Sequence, residues 1–228
     1  MTPGLPLLIF DVNETLLDLD ALVPHFERIF GASAVMREWF AQLILYSEAI
    51  TLTEDYVSFG ELGGAVLRMI GKTRGIHIAD SDIETIKDAV TKMPAHAEVP
   101  AALHKLRRAG FRLFTLTNNP KKTCEKQLQN AGIASFFERQ FSVDDEVRRY
   151  KPAREVYRAV EELLGVRANQ LCLIACHTWD ILGASAAGWK TVLVLRTGNA
   201  ELAVGGQPLM TIENLHEVAE RLLQGHVN

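Results

Sequence analysis

The chain has few cysteines and no long apolar run. Its 228 residues include three cysteines, Cys124, Cys172 and Cys176. Their odd number and their spacing fit neither a disulfide framework nor a zinc finger, so buried thiols in a reducing compartment are the simpler interpretation. Asp11 interrupts the N-terminal apolar run before it reaches the length of a signal peptide or a membrane span. We therefore expect a cytoplasmic protein.

An excess of positive charge is also missing. The 24 basic and 28 acidic residues give a net charge of -4 and are mixed along the chain. The sequence therefore has no basic stripe for nucleic acid and no polybasic patch for a membrane, and we expect neither partner. Because 48% of the residues are hydrophobic, the chain can bury a sizeable core, either as one large domain or as a core with an insertion.

The apolar pattern alternates between strands and helices. Short apolar runs typical of buried strands are LPLLIFD, FRLFTLTNN, QLCLIACHTWD, KTVLVLR and LMTIENL, and apolar residues at helical spacing lie between most of them. Strands that alternate with helices predict an α/β fold with a parallel sheet covered on both faces. Residues 20–94 contain only helical patterns, so we predict an all-helical insertion there and a core formed by residues 1–19 and 95–228.

Ligands of such sheets bind outside the carboxyl ends of the strands. The segments that end there carry carboxylates, hydroxyls, amides, an ammonium and an imidazole: Asp11, Asn13, Thr15, Thr117, Asn118, Asn119, Lys151, Cys176, His177, Thr178 and Asp180. A carboxylate at the end of a buried strand is costly to desolvate unless it is paired, hydrogen-bonded or used in chemistry. This set therefore predicts a site centred on Asp11.

Four motifs carry a resemblance to a known family. DVNET, LTNN, YKPAREVY and WD occur in the order of the four motifs of the haloacid dehalogenase-like superfamily. Their residues are similar to those of the L-2-haloacid dehalogenase branch. The resemblance extends through HTWDILGASAAGW. It implies a Rossmann-like core, a helical cap inserted after the first motif and a pocket between the two.

The resemblance also implies roles for Asp11 and Lys151. Asp11 matches the nucleophile that displaces halide from a 2-haloacid and forms an ester, which water then hydrolyses. Lys151 matches the lysine that keeps this carboxylate ionised and oriented. The plainer alternatives are a turn-capping aspartate and a solvated loop lysine.

Other matched positions are polar. Thr15, Thr117 and Asn118 match residues that hold the nucleophile and the substrate carboxylate, and Asn119 is grouped with them. The alternative is ordinary turn chemistry, because Thr and Asn favour turns and helix caps.

Two further positions lie later in the chain. Tyr157 matches a tyrosine near the site and can equally be a helix core contact. Asp180 matches the last acidic position, where it orients Lys151 or polarises the hydrolytic water; a helix N-cap is the alternative.

Asn13 separates two reaction classes. In phosphatases of the superfamily, the second residue after the nucleophile is an aspartate that serves as general acid and base. An amide cannot exchange a proton in this way, whereas a halide leaves without protonation. Asn13 therefore favours dehalogenation over phosphoryl transfer.

The sequence departs from the dehalogenase pattern at two places. The cap arginine expected after a Tyr-Ser/Thr pair is missing, because Tyr46 and Ser47 are followed by Glu48, Ala49 and Ile50. Arg37 can replace it from another turn of the cap, although a solvated arginine is the simpler interpretation.

The second departure is in the last motif. Its serine and asparagine are replaced by Ala175 or Cys176 and by His177. His177 can bind the halide when protonated or assist the water when neutral, or it can be a structural histidine. These changes put the identity of the substrate in question.

The sequence thus predicts a hydrolytic 2-haloacid dehalogenase that acts through an Asp11 ester and uses no metal or cofactor. Two alternatives stay open: a Mg-dependent small-molecule phosphatase and a non-catalytic binding module on the same scaffold. The expected partner is a small halogenated carboxylic acid. Apolar cap faces are compatible with a homodimer, as the resemblance implies.

Overall fold

The core of the protein is one parallel β-sheet. The structure, a computed structural model, describes residues 4–224. Within these residues it contains six strands: β1 (Leu7–Phe10), β2 (Leu113–Thr117), β3 (Arg139–Ser142), β4 (Leu171–Ala175), β5 (Lys190–Val194) and β6 (Met210–Ile212). The spatial order is β3-β2-β1-β4-β5-β6, and every neighbouring pair is parallel. The predicted α/β class and the parallel sheet are confirmed.

Strand β1 lies in the interior of this sheet. Ile9 is in register with Phe114 of β2 on one side and with Leu173 of β4 on the other. The segment LLIF is apolar without alternation because helices cover both faces of the strand. Asp11 follows directly after it, where the strand order reverses between β2 and β4, and this reversal is where α/β folds place their ligand sites.

The segment between β1 and β2 is helical, as the sequence pattern predicts. After a 3-10 helix (Leu19–Leu22), the chain forms the helices α1 (Val23–Phe30), α2 (Val35–Thr53), α3 (Phe59–Thr73) and α4 (Asp80–Thr91). We refer to residues 20–94 as the cap segment. Helix α3 begins where Ser58 and Glu61 form a capping box, which satisfies the free backbone N–H groups of its first turn.

The remaining helices cover the sheet. They are α5 (Val99–Arg108), α6 (Lys121–Asn130), α7 (Val143–Glu146), α8 (Arg154–Leu164), α9 (Thr178–Ala186) and α10 (His216–Gln224). Pro100 lies in the first turn of α5, where its missing N–H costs no hydrogen bond. Gly165 ends α8 in the left-handed conformation. Among the described residues, no helix has both the length and the apolarity to cross a membrane.

Two parts of the core differ from the sequence interpretation. Strand β3 was not among the predicted strands, because three of its four residues, RQFS, are polar and the strand forms a short edge of the sheet. The charged sequence EVRRYK, residues 146–151, is typical of a solvated loop, and this expectation is wrong for Tyr150. That side chain is fully buried, stacks on Tyr56 and donates a hydrogen bond to the Val57 carbonyl in the cap segment.

Candidate active site

A tight turn after β1 presents the first functional residues. The N–H groups of Leu16 and Leu17 both donate to the Val12 carbonyl, so the chain folds back within a few residues of the strand. Glu14 adopts the left-handed conformation in this turn, with a φ of 64°. The turn places Asp11 and Thr15 on the same side, and the Thr15 hydroxyl donates to Asp11 Oδ2 over 2.7 Å.

Lys151 joins two buried carboxylates. Its Nζ donates to Asp11 Oδ1 at 2.8 Å, to Asp180 Oδ2 at 2.6 Å and to the Leu116 carbonyl at 3.1 Å. All three N–H donors of the ammonium are therefore used. Because Lys151 is only 1% exposed, its charge is compensated by these partners rather than by solvent.

The pairing keeps both charges in place. Burial by itself would raise the pKa of Asp11, but the Lys151 charge and a hydrogen bond from His177 outweigh it and hold that pKa well below its usual range. Burial would likewise lower the pKa of Lys151, and the two carboxylates raise it instead. Asp11 is thus a carboxylate and Lys151 an ammonium at neutral pH.

Asp180 and Tyr157 lie behind this pair. The Tyr157 hydroxyl donates to Asp180 Oδ1 over 2.6 Å, so both oxygens of Asp180 are occupied. Burial raises the pKa of Asp180, Lys151 opposes this effect, and the Asp11 charge adds to it. Burial also raises the pKa of Tyr157. The ring of Tyr157 packs edge-to-face on Trp189. Tyr157 is therefore also a core contact of its helix, which was the alternative interpretation.

Thr15 connects the turn to the end of β4. Its Oγ1 accepts a hydrogen bond from the backbone N–H of Cys176 at 3.0 Å and lies 3.3 Å from the Cys176 sulfur. The Thr15 carbonyl accepts hydrogen bonds from the Arg196 guanidinium at 2.6 and 3.2 Å. Thr15 therefore belongs to the turn and also contacts the nucleophile candidate Asp11.

His177 lies between two carboxylates. Its Nδ1 is 3.3 Å from Asp11 Oδ2 and its Nε2 is 2.8 Å from Glu14 Oε2. Arg37 of α2 pairs with the other oxygen of Glu14 and with Asp20. The imidazole stacks on the Trp179 ring at a centroid distance of 5.0 Å.

These contacts determine the charge of the imidazole. Burial would lower the pKa of His177, but the Cys176 sulfur and the hydrogen bonds to Asp11 and Glu14 raise it well above its usual value. Burial would raise the pKa of Glu14, and His177 and Arg37 lower it. His177 is therefore an imidazolium at neutral pH.

Each buried charge of the site has a partner of opposite sign. The buried anions Asp11, Glu14 and Asp180 contact the cations Lys151, His177 and Arg37, and the partly exposed Arg37 also pairs with Asp20. This pairing avoids the cost of an unpaired buried ion.

Asn13 is anchored from the core side. Its Oδ1 accepts hydrogen bonds from Asn119 Nδ2 at 3.2 Å and from Gln127 Nε2 at 3.0 Å. Asn119 is held in turn by Ser142, which donates to its carbonyl, and by Thr117, whose Oγ1 accepts from its backbone N–H. Asn119 therefore supports Asn13 from behind instead of facing Asp11.

Asn118 is a polar residue of the site that has free hydrogen-bonding capacity. Its Oδ1 accepts from the backbone N–H of Lys151 at 3.1 Å. Its Nδ2 is buried and has no hydrogen-bond partner among residues 4–224. A buried donor without a partner is costly, so a ligand that accepts this hydrogen bond is favoured there.

The space beside Asp11 is small. We call it the niche, and its volume of about 10 Å³ is roughly that of one water molecule. Ten residues line it: Asp11, Asn13, Phe40, Ile44, Phe59, Thr117, Asn118, Lys151, His177 and Trp179. A more open cavity of about 330 Å³, here called the outer cavity, shares Phe40, Ile44, His177 and Trp179 with the niche and contains Arg37 and Asn199.

The ligand set does not suit magnesium. Mg²⁺ prefers oxygen ligands, and the available carboxylates are Asp11 and Asp180. The Lys151 ammonium lies between them, in contact with both. Polar atoms of Asp11, Cys176 and His177 do lie within 4.8 Å of one another, but their donors are one oxygen, one sulfur and one nitrogen.

Two charged residues of the site differ from the sequence interpretation. Glu14 was not singled out, because a glutamate in a turn is normally exposed; here it is 2% exposed. Arg37 was interpreted as a solvated helix residue, but its guanidinium reaches Glu14 and lines the outer cavity. The signal for both was weak, since only the fold brings α2 over the turn that carries Glu14.

The fold and the site together define a hydrolase with a carboxylate nucleophile candidate beneath a helical cap segment. The profile of the haloacid dehalogenase-like hydrolase family matches residues 5–188. The chain belongs to this family.

Individual relatives agree with this assignment. The (S)-2-haloacid dehalogenase of Pseudomonas sp. (strain YL) is 28% identical over 92% of this chain and 91% of that protein. Haloacetate dehalogenase H-2 of Moraxella sp. (strain B) is 26% identical over 89% and 91%. The structure of L-2-haloacid dehalogenase from Xanthobacter autotrophicus with covalently bound chloropropionic acid superposes with a TM-score of 0.89 at 21% identity, covering 97% of this chain and 99% of that one. This last likeness concerns the fold.

Proposed function

We propose that the protein hydrolyses small 2-haloacids, releasing halide and a 2-hydroxy acid through an ester on Asp11. The observation that carries this proposal is the contact of Lys151 Nζ with Asp11 Oδ1 in a buried niche. Carboxylates are weak nucleophiles in water, and a dry environment with one fixed counter-ion makes them more reactive. Relatives named as haloacid dehalogenases support the choice of substrate.

In the first step, an Asp11 carboxylate oxygen attacks C2 of the acid. The new bond to oxygen forms as the carbon–halogen bond breaks, and its electron pair leaves with the halide. The unpartnered Asn118 amide is a suitable donor for the substrate carboxylate. The imidazolium of His177 lines the niche, and its charge attracts the departing halide while its two N–H groups stay bonded to Asp11 and Glu14.

In the second step, water attacks the Asp11 carbonyl carbon, the bond from this carbon to the ester oxygen breaks, and the ester oxygen takes a proton and leaves as the hydroxyl of the 2-hydroxy acid. Ester formation replaces the Asp11 carboxylate, whose hydrogen bond is one cause of the raised pKa of His177. His177 can then lose its proton to solvent and accept one from the attacking water, with Glu14 holding the other ring nitrogen. Asp180 is less suited to this role, because both of its oxygens are occupied. We assign Asp180 and Tyr157 to positioning Lys151.

Asn13 argues against phosphoryl transfer. Its amide oxygen accepts two hydrogen bonds from other amides, and the group cannot act as a general acid. The lysine between the two carboxylates also leaves little room for Mg²⁺.

The decisive experiment follows oxygen and halide together. We expect release of chloride or bromide from (S)-2-halopropanoates without added metal, and one ¹⁸O atom in Asp11 after a single turnover in H₂¹⁸O. The Asp11→Asn variant should lose at least 10³-fold in rate, since the nucleophile is gone. Halide release with no label in Asp11 would mean direct attack by water. Phosphomonoester hydrolysis that depends on Mg²⁺, with no halide release, would replace the proposal with a phosphatase.

Two further features belong to the same proposal. We infer a cytoplasmic location, which the three free and buried cysteines support. We also infer a homodimer, which the exposed Leu45 and Leu52 of α2 support. These leucines are seven residues apart and therefore lie on one face of the helix.

A further inference from the structure

A largely apolar cavity adjoins the niche. Its volume is about 180 Å³, and we call it the inner cavity. Asn13, Phe40 and Phe59 line both the niche and the inner cavity. The two spaces are therefore neighbours on the same side of the nucleophile.

The walls of the inner cavity are mostly hydrocarbon. Side chains from the cap segment supply them, including Leu43, Leu67, Ile83, Ile86, Val90 and Met93. Its polar lining residues are Asn13, Lys87, Thr91, Asn119 and Thr123, and the amides of Asn13 and Asn119 are already hydrogen-bonded to each other. A cavity of this lining favours an apolar group over water.

The size of the inner cavity matches a specific group. An apolar protein cavity of about 150 Å³ stays dry and binds benzene, so 180 Å³ accommodates a group of about six carbons. The niche, at about 10 Å³, has no space for such a group. The outer cavity also adjoins the niche, but Glu14, Arg37 and His177 line it with charge, so an apolar substituent on C2 that is larger than a methyl group extends into the inner cavity.

Helix α3 contributes glycine residues to the wall of the inner cavity. Gly60, Gly63 and Gly64 all line the inner cavity, although glycine is unfavourable inside a helix. A Cβ on Gly63 would meet the Trp39 ring at 3.3 Å, and one on Gly64 would meet Ile83 at 3.1 Å, so packing explains these two. A Cβ on Gly60 would meet nothing within 4 Å. Gly60 therefore keeps open a space that packing does not require.

On the basis of the proposed function, we propose that the preferred substrates are 2-haloalkanoic acids with an apolar side chain of about six carbons, which occupies the inner cavity while Asp11 attacks C2. The carboxylate and the halogen then lie beside Asn118 and His177, where the niche meets the outer cavity. Short acids such as 2-halopropanoates leave the inner cavity empty. Burial of the longer chain is the source of the preference.

The test compares 2-bromooctanoate with 2-bromopropanoate by bromide release. We expect a kcat/KM at least tenfold higher for 2-bromooctanoate. Gly60→Leu and Val90→Phe fill the inner cavity from α3 and α4, and each should lower the ratio of the two kcat/KM values at least tenfold. Two variants on separate helices guard against a folding defect in one of them. Ala65→Leu, on the exposed side of α3, is the matched control and should keep the wild-type ratio.

The outcomes separate the two proposals. Turnover of 2-bromopropanoate with an equal or lower kcat/KM for 2-bromooctanoate overturns the chain-length inference and leaves the dehalogenase assignment standing. A ratio that the filling variants do not change also overturns it, because the preference would then arise elsewhere. Bromide release from neither acid overturns the dehalogenase assignment, and the chain-length inference with it.

Discussion

His177 is held between the carboxylates of Asp11 and Glu14, and this position links the stability of the protein to pH. A histidine whose pKa is raised by folding stabilises the folded state as long as it is protonated. Its contribution is fully present below its unfolded pKa of about 6.5. The contribution is lost as the pH rises through the higher pKa that His177 has in the folded state.

A substitution at His177 tests this link. His177→Gln should lower the free energy of unfolding more at pH 6 than at pH 9, because the stabilisation by the charged imidazole declines as the pH rises above the unfolded pKa of about 6.5. Urea denaturation at both pH values measures the difference. The exposed His104→Gln is the control and should change little at either pH. An equal loss for His177→Gln at pH 6 and pH 9 would show that the imidazole is not charged in the folded protein.

The residues of the site were predictable to different degrees. Asp11, Lys151 and Asp180 follow strands or precede a helix in motifs that the chain itself displays, and the structure brings them into contact. The pairing of Glu14 with Arg37 was not predictable from the sequence. Their pairing depends on where the cap segment crosses the turn after β1, which is a long-range property of the fold.

At the scale of elements, the loop that precedes Lys151 forms hydrogen bonds with the cap segment. Tyr150 donates its hydroxyl to the Val57 carbonyl, and its backbone N–H donates to Thr51 Oγ1 at 2.9 Å. Arg149 donates to the Thr51 carbonyl at 3.2 Å. The connection between α2 and α3 is therefore fixed by the residues that directly precede the catalytic lysine candidate.

Removing the Tyr150 hydroxyl should loosen this connection. Tyr150→Phe keeps the buried ring and loses one hydrogen bond, so we expect a loss of about 0.5–1.5 kcal/mol in the free energy of unfolding. Hydrogen exchange of the amides of residues 54–58 should become up to about tenfold faster, since 1.4 kcal/mol corresponds to a factor of ten in an equilibrium constant. Tyr46→Phe, at a half-exposed tyrosine, is the control. Unchanged exchange in Tyr150→Phe would mean that the hydroxyl does not hold the connection.

The elements themselves were largely predictable. Strands such as β1 and β4 are continuous apolar runs because both of their faces are covered, and this pattern is visible in the sequence. Strand β3 is an edge strand whose first residues are exposed, so its apolar signal is too short. Tyr150 shows the same limit in a loop, since charged neighbours concealed a buried contact.

At the scale of the whole molecule, an exposed apolar stripe on α2 is consistent with self-association. Leu45 and Leu52 are 55% and 84% exposed, which leaves large apolar side chains in water. Exposed apolar patches often mark interaction surfaces, and a second copy of the chain can cover such a stripe symmetrically.

Sedimentation measures this association. We expect the wild-type protein to sediment at twice the 25.3 kDa mass of one chain. The double variant Leu45→Glu with Leu52→Glu should sediment at the mass of one chain, because two charges on the stripe oppose pairing. Leu163→Glu changes an exposed leucine on α8 and should leave the dimer intact. A double variant that keeps the doubled mass would place the dimer interface elsewhere.

The niche touches two spaces of opposite character. The inner cavity is hydrocarbon, whereas the outer cavity contains Arg37 and opens beside the imidazole. We therefore expect the halide to leave through the outer cavity, past the His177 imidazolium, while the apolar side chain of the organic product occupies the inner cavity. The two products need not leave in a fixed order, and dissolved chloride competes for only one of the two routes.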